Sequence, residues 1–142
     1  DVLFRNGLAE AKVKYFDQTL ETIVELSKRH DLYIVTNGVT ETQKRRLNQT
    51  PLHKYIKKIF ISEETGYQKP NPEFFNYVFN DIGEDERQHS IIVGDSLTSD
   101  ILGGINAGIA TCWFNFRGFD HNPGIIPDYE INSWKQLNDI VR

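Results

Sequence analysis

The stretch 90-SIIVGDSLTSD-100 decides how this chain is read. A short apolar run closes on Gly94, and two carboxylates, Asp95 and Asp100, then stand five positions apart with Ser96, Thr98 and Ser99 between them. An apolar run bounded by a glycine is the pattern of a strand buried on both faces, as in parallel sheets. Asp95 then falls at the end of a strand and Asp100 in the first turn of the next helix. Both carboxylates are thereby brought towards one point above the sheet edge. The hydroxyl residues between them are small enough not to block a hydrated ion. Taken alone, the same letters also suit an Asp that closes a strand and an Asp that decorates a helix, so the reading depends on the rest of the chain.

Outward from this stretch the chain alternates in a regular way. Residues 17–30, DQTLETIVELSKRH, place Leu20, Ile23, Val24 and Leu26 on one helical stripe, with Asp17 as N-cap and His30 serving the C-terminus. LYIV (32–35) is a buried strand, and a polar helix follows over about 40–48, with acids before bases as the helix dipole favours. KIFI (58–61) is a strand, and NPEFFNYVFNDIG (71–83) is a helix with Asn71 at the cap, Pro72 in the first turn and Gly83 after the end. Beyond the opening stretch come a helix over 98–108, a strand ATCWF (110–114), a short strand DYEI (128–131) and a last helix SWKQLNDIVR (133–142). Strands alternating with helices of this length imply parallel βαβ units with right-handed crossovers. The predicted fold is a Rossmann-like, three-layer α/β domain with a mostly parallel sheet.

The composition bounds the function. At 142 residues, 39% hydrophobic and 12% aromatic, the chain is one domain able to fill a core. No apolar run can span a bilayer, and the N-terminus lacks the apolar core of a signal peptide, so no membrane partner is expected. A single cysteine, Cys112, excludes an internal disulfide and fits a reducing, cytoplasmic setting. A net charge of -4 argues against a general nucleic-acid binder while leaving small anionic substrates open. The chain begins at Asp1 and contains no Met, as expected of a fragment or a cleaved product.

Ligands of such sheets bind beyond the carboxyl ends of the strands, where loops and helix N-termini converge. Three polar clusters fall there: Thr36, Asn37 and Gly38 after LYIV, Lys69 in SEETGYQKPNPEFF after KIFI, and the pair Asp95 and Asp100. Pro70 and Pro72 hold Lys69 at a defined point. A hydroxyl, a fixed ammonium and two carboxylates able to hold a hard cation are the parts of Mg²⁺-assisted phosphoryl chemistry.

The segments IVTNG, GYQKPNPEFF and SIIVGDSLTSDILGGINAG resemble the second, third and fourth motifs of the haloacid dehalogenase superfamily, most of whose members are Mg²⁺-dependent phosphatases. The resemblance runs from about residue 17 to residue 134. Within the superfamily, the run from TNG to NPEFF is similar to the branch of pyrimidine 5′-nucleotidases. The resemblance implies that Thr36 binds phosphate with Asn37 and Gly38 beside it, that Lys69 steadies the phosphoryl group and the nucleophile, that Asp95 ligates Mg²⁺ directly, and that Asp100 supports the metal or its waters. It implies a small phosphorylated metabolite as substrate, a nucleoside monophosphate before a sugar phosphate.

The departures matter as much. The family carries its nucleophile and acid/base as Asp-x-Asp on the first strand, and no two aspartates here stand two positions apart. The sequence therefore predicts a partial core over 17–142 whose first strand is missing, preceded at 1–16 by the end of a cap and a linker. A central gap in the sheet and no turnover by these 142 residues alone are the further expectations. His53, His89 and His121 have no metal-ligand spacing, and HKYIKK (53–58) reads as a solvated helix end. RGFDHNPG (117–124) is a turn-rich loop at the same strand-end edge that could border the site, and Trp113 and Trp134 read as core. The competing reading is a non-catalytic module that binds a phosphorylated ligand, receiver-like or an inactive phosphatase fragment.

Overall fold

Every residue of Leu32–Thr36 is buried, and the faces it turns to are different. Leu32 and Ile34 enter one core with Ile23 and Leu26, while Tyr33 and Val35 enter another with Phe74, Phe75, Val78 and Phe79. Successive side chains of a strand point to opposite faces, so a strand apolar throughout must be covered on both. The computed structural model describes residues 2–5, 16–49 and 51–141. Its strands are β1 (Val2–Arg5), β2 (Leu32–Thr36), β3 (Lys58–Ile61), β4 (Ile91–Gly94), β5 (Ala110–Phe114) and β6 (Tyr129–Ile131). Its helices are α1 (Phe16–Ser27), α2 (Thr40–Asn48), α3 (Ser62–Thr65), α4 (Pro72–Ile82), α5 (Leu102–Ala107) and α6 (Leu137–Ile140). The sheet order is β3-β2-β1-β4-β5-β6, with parallel pairing throughout. Residues of α1 and α6 pack into one face and residues of α4 and α5 into the other, giving the expected three-layer, Rossmann-like α/β arrangement.

The expected central gap is not there. Val2–Arg5 lies between β2 and β4, with Val2 level with Leu32 on one side and Ile91 on the other. The physical reason is the ladder: two buried strands facing an empty slot would each leave a row of backbone N–H and C=O groups unpaired. An apolar VLF run is the right chemistry to fill it. Of the segment 1–16, residues 2–5 thus belong to the sheet, while 6–15 lie outside the described residues.

α4 follows its sequence signals closely. The Asn71 side chain accepts from Glu73 N–H at 2.9 Å, Pro72 opens the helix, and Gly83 at φ 118° ends it with its N–H on Phe79 O. The buried face is Phe74, Phe75, Val78 and Phe79, and each such side chain contributes about 1.5–3 kcal/mol by leaving water.

Other boundaries moved. Asp17 is the second residue of α1 and not its cap. The helix expected over 98–108 opens as a π-turn, Leu97–Ile101, before α5, and Gly108 closes it at φ 74°. The last helix begins as a 3₁₀ turn, Trp134–Gln136, with Ser133 and Gln136 forming a capping box. Partial burial, reinforced by the neighbouring Arg29, lowers the pKa of the His30 imidazole from its ordinary value, while the His30 backbone N–H donates to Leu26 O at 2.8 Å at the end of α1. Among the described residues no helix is long and apolar enough to cross a membrane.

Candidate functional site

β2 and β3 end at Thr36 and Ile61, which are level in register, and β4 ends at Gly94. The ends of these strands and the segments just beyond them carry Thr36, Asn37, Gly38, Lys69, Asp95 and Asp100. Thr36 is buried at the end of β2. The next residue, Asn37, clamps Lys69 from 32 positions away: its Nδ2 donates to Lys69 O at 3.0 Å and its Oδ1 accepts from Lys69 N–H at 2.9 Å. This reciprocal pair works like a rung of sheet between two loops. Gly38 N–H donates to Ser62 Oγ at 3.1 Å, tying the β2 loop to the start of α3.

With its backbone fixed, Lys69 sends its side chain inward. Its Nζ donates to Val35 O at 3.1 Å and to Asp100 Oδ1 at 2.6 Å, and the two side chains are 1% and 0% exposed. Asp100 also accepts from Ser96 N–H at 3.3 Å through Oδ2 and from Ser99 Oγ at 3.4 Å through Oδ1. A buried ion pair survives only when its remaining hydrogen-bonding capacity is met, as here. Gly94 is required by this pair, because a Cβ there would stand 2.3 Å from Asp100 Oδ2. The Lys69–Pro70 peptide is cis.

Asp95 stands on the other side of the site. Its backbone C=O accepts from Trp113 Nε1 at 3.1 Å, and its Oδ2 accepts from Arg117 Nη1 at 3.1 Å. The Asp95 side chain is 6% exposed and that of Arg117 is 44% exposed. A cleft of about 350 Å³ opens here, lined by Asp95, Ser96, Thr98, Trp113, Arg117 and Phe119 among others. A second, of about 550 Å³, lies beyond Asn37, Gly38 and Ser62.

The structure therefore brings Thr36, Asn37, Gly38, Lys69, Asp95 and Asp100 to one sheet edge. Two of them also have protein partners that the sequence did not show: the Asn37 amide pairs with the Lys69 backbone, and the fully buried Asp100 pairs with the Lys69 ammonium. Among the described residues no group of three or more His, Cys, Asp or Glu stands together that could hold a metal. The loop RGFDHNPG does border the site through Arg117. Three participants were missed: Ser62 beneath Gly38, Trp113 beneath Asp95, and the Arg117–Asp95 pair itself. Only Arg117 had a signal in the sequence, as the one cation of a loop already placed at the strand ends.

Comparison with known proteins identifies the family. The haloacid dehalogenase-like hydrolase family model matches residues 3–114. The HAD-hydrolase YfnB of Bacillus subtilis is 48% identical over 138 residues, covering 97% of this chain and 58% of that protein. The pyrimidine 5′-nucleotidase YjjG of Escherichia coli is 42% identical over 108 residues, 76% of this chain and 48% of its own length. The pyrimidine 5′-nucleotidase PynA of Streptococcus pneumoniae is 38% identical over 122 residues, 86% of this chain and 51% of its own. A magnesium-bound crystal structure of YfnB superposes with a TM-score of 0.85 at 48% identity, covering 89% of this chain and 55% of that one. The chain belongs to the haloacid dehalogenase-like hydrolases, in their nucleotidase-like branch, and spans about half the length of the curated relatives it matches.

Proposed function

We propose that this chain is the phosphate- and metal-holding part of a Mg²⁺-dependent phosphatase acting on a small phosphate monoester, a nucleoside monophosphate first and a sugar phosphate second. The observation that carries the reading is the buried Lys69, aimed by Asp100 and by Val35 O and set in place by Asn37, at the strand end that presents Thr36. A cation fixed by three protein groups before substrate arrives is a preorganised partner for a phosphoryl group in flight. The Thr36 hydroxyl binds the same group, and Asn37 acts by placing Lys69. The nucleotidase relatives support the choice of substrate class.

The donor set fits magnesium. Hard carboxylate oxygens are its ligands, it keeps several waters, and one or two carboxylates suffice, so Asp95 holds it with Asp100 behind. When bound, magnesium screens the repulsion between the phosphate and an attacking carboxylate. The reaction passes through an aspartyl-phosphate whose nucleophile lies outside these 142 residues: the central strand Val2–Arg5, in the slot between the two walls of the site, bears no carboxylate. That same observation favours the second reading, in which the chain binds a phosphorylated ligand without turning it over.

The test uses the 142-residue chain with inorganic phosphate, orthovanadate and a chromogenic phosphate ester. Calorimetry should show anion binding that needs Mg²⁺, weakened by Thr36→Val and lost in Asp95→Asn, with no ester turnover above background. Absence of anion binding in the folded chain would sink the site. Repeated turnover by a clean preparation would show that one of the carboxylates assigned to metal is the nucleophile.

A further inference from the structure

Two ion pairs stand at the carboxyl edge: Lys69 with Asp100 and Arg117 with Asp95. A divalent cation arriving at Asp95 meets a guanidinium already on that carboxylate. We propose that Arg117 is a built-in competitor of the cation at Asp95, and that it sets how tightly the site takes up Mg²⁺. The proposal rests on the reading of Asp95 as the metal-binding carboxylate.

Two observations single out Arg117 as the group that yields. Lys69 and Asp100 are 1% and 0% exposed, so parting them would break an ion pair that water does not reach. Arg117 is half-exposed and can turn to water at little cost. Its guanidinium also lies over the Phe116 ring at 4.6 Å and near that of Phe119 at 5.8 Å, contacts that can hold it when Asp95 is taken.

The loop is built to present this residue. Asn115 is buried, and its side chain pairs with Phe119 as a backbone would: Oδ1 accepts from Phe119 N–H at 2.8 Å and Nδ2 donates to Phe119 O at 2.9 Å. The same Nδ2 donates to Glu130 Oε2 at 3.0 Å, anchoring the turn to β6. Gly118, at φ 69°, lets the chain close, with its N–H on Asn115 O at 3.3 Å. Residues 115–119 are thus a closed turn with Arg117 at its crest, and the fold delivers the guanidinium to Asp95.

The experiment is a Mg²⁺ titration of the 142-residue chain, followed by calorimetry and by tryptophan fluorescence, since Trp113 donates to Asp95 O and lines the same cleft. Wild type, Arg117→Gln, Arg117→Lys and Asp95→Asn are compared at low and high salt. Arg117→Gln should bind Mg²⁺ about five-fold tighter at low salt, with the gain shrinking at high salt and Arg117→Lys lying nearer wild type. Binding by Arg117→Gln where wild type shows none would support the proposal equally. If Asp95→Asn abolishes binding but Arg117→Gln leaves it unchanged or weaker, the competitor role is overturned while the metal site stands. If Asp95→Asn binds like wild type, or no variant binds, the metal reading falls and takes this inference with it.

Discussion

Lys69 and Arg117 each bring a positive charge to a carboxylate at the same sheet edge, yet their side chains are 1% and 44% exposed. Lys69 is fixed at its backbone by Asn37 and at its ammonium by Val35 O and Asp100. Arg117 reaches Asp95 through a bond at 3.1 Å at the rim of a cleft. The same pair of charge types therefore makes a rigid wall on one side of the site and an adjustable one on the other. In the interior, water cannot replace a lost partner and each bond holds the others in place. At the rim water substitutes readily for the half-exposed Arg117, and such a pair contributes little to folding.

Breaking the rigid wall should have the largest effect. Lys69→Met removes the ammonium that stands 2.6 Å from the fully buried Asp100 carboxyl, and urea unfolding should show a loss of about 3–5 kcal/mol. Lys69→Met combined with Asp100→Leu should recover much of that loss, because an apolar pair replaces an ionic one. A double variant as unstable as the single would mean that shape, and not charge, holds this wall. Gly94→Ala comes next. Its Cβ would meet Asp100 Oδ2 at 2.3 Å and Cγ at 2.5 Å, so thermal unfolding should report a loss of about 1–3 kcal/mol, with the Lys69–Asp100 contact displaced.

On the adjustable wall, Arg117→Gln should change stability by less than about 1 kcal/mol, and the change should fade as salt rises. A loss comparable to that of Lys69→Met would erase the contrast between the walls. At neutral pH the smallest effect concerns the core on the α1 side of the sheet, where Cys112 is buried and desolvation pushes its thiol from 9.0 up to about 12. The folded thiol keeps its proton after the unfolded one has lost it, so stability is untouched below about pH 9 and falls as pH rises from about 9 towards about 12. The slope of stability against pH in that window should be shallower in Cys112→Ala. An aromatic disulfide reagent should leave the native thiol unmodified at neutral pH.

Much of this was legible in the letters. The βαβ alternation, the buried character of LYIV and IIVG, and the Asn71–Pro72 to Gly83 frame of α4 are local signals that the fold obeys. Sequence also placed all six site residues at one edge, because the rule linking strand ends to ligand sites needs only strand positions and parallel order. It could not show that Asn37 serves Lys69 or that Asp100 lies behind it, since those contacts join residues 32 and 31 positions apart through side-chain directions. Nor could it place Val2–Arg5 in the middle of the sheet. A run of four residues has too weak a propensity of its own, and its place is set by the unpaired ladders of β2 and β4 on either side.

The sequence by itself determined the layered α/β class, the family and the placing of the candidate residues at one sheet edge, because each is carried by periodicity, capping and short motifs within a few positions. The tertiary structure alone decided which carboxylate has a fully buried cation beside it and which has a half-exposed one. Burial, and with it the local dielectric and the access of water, is a property of what packs around a residue and not of the residue or its neighbours in the chain.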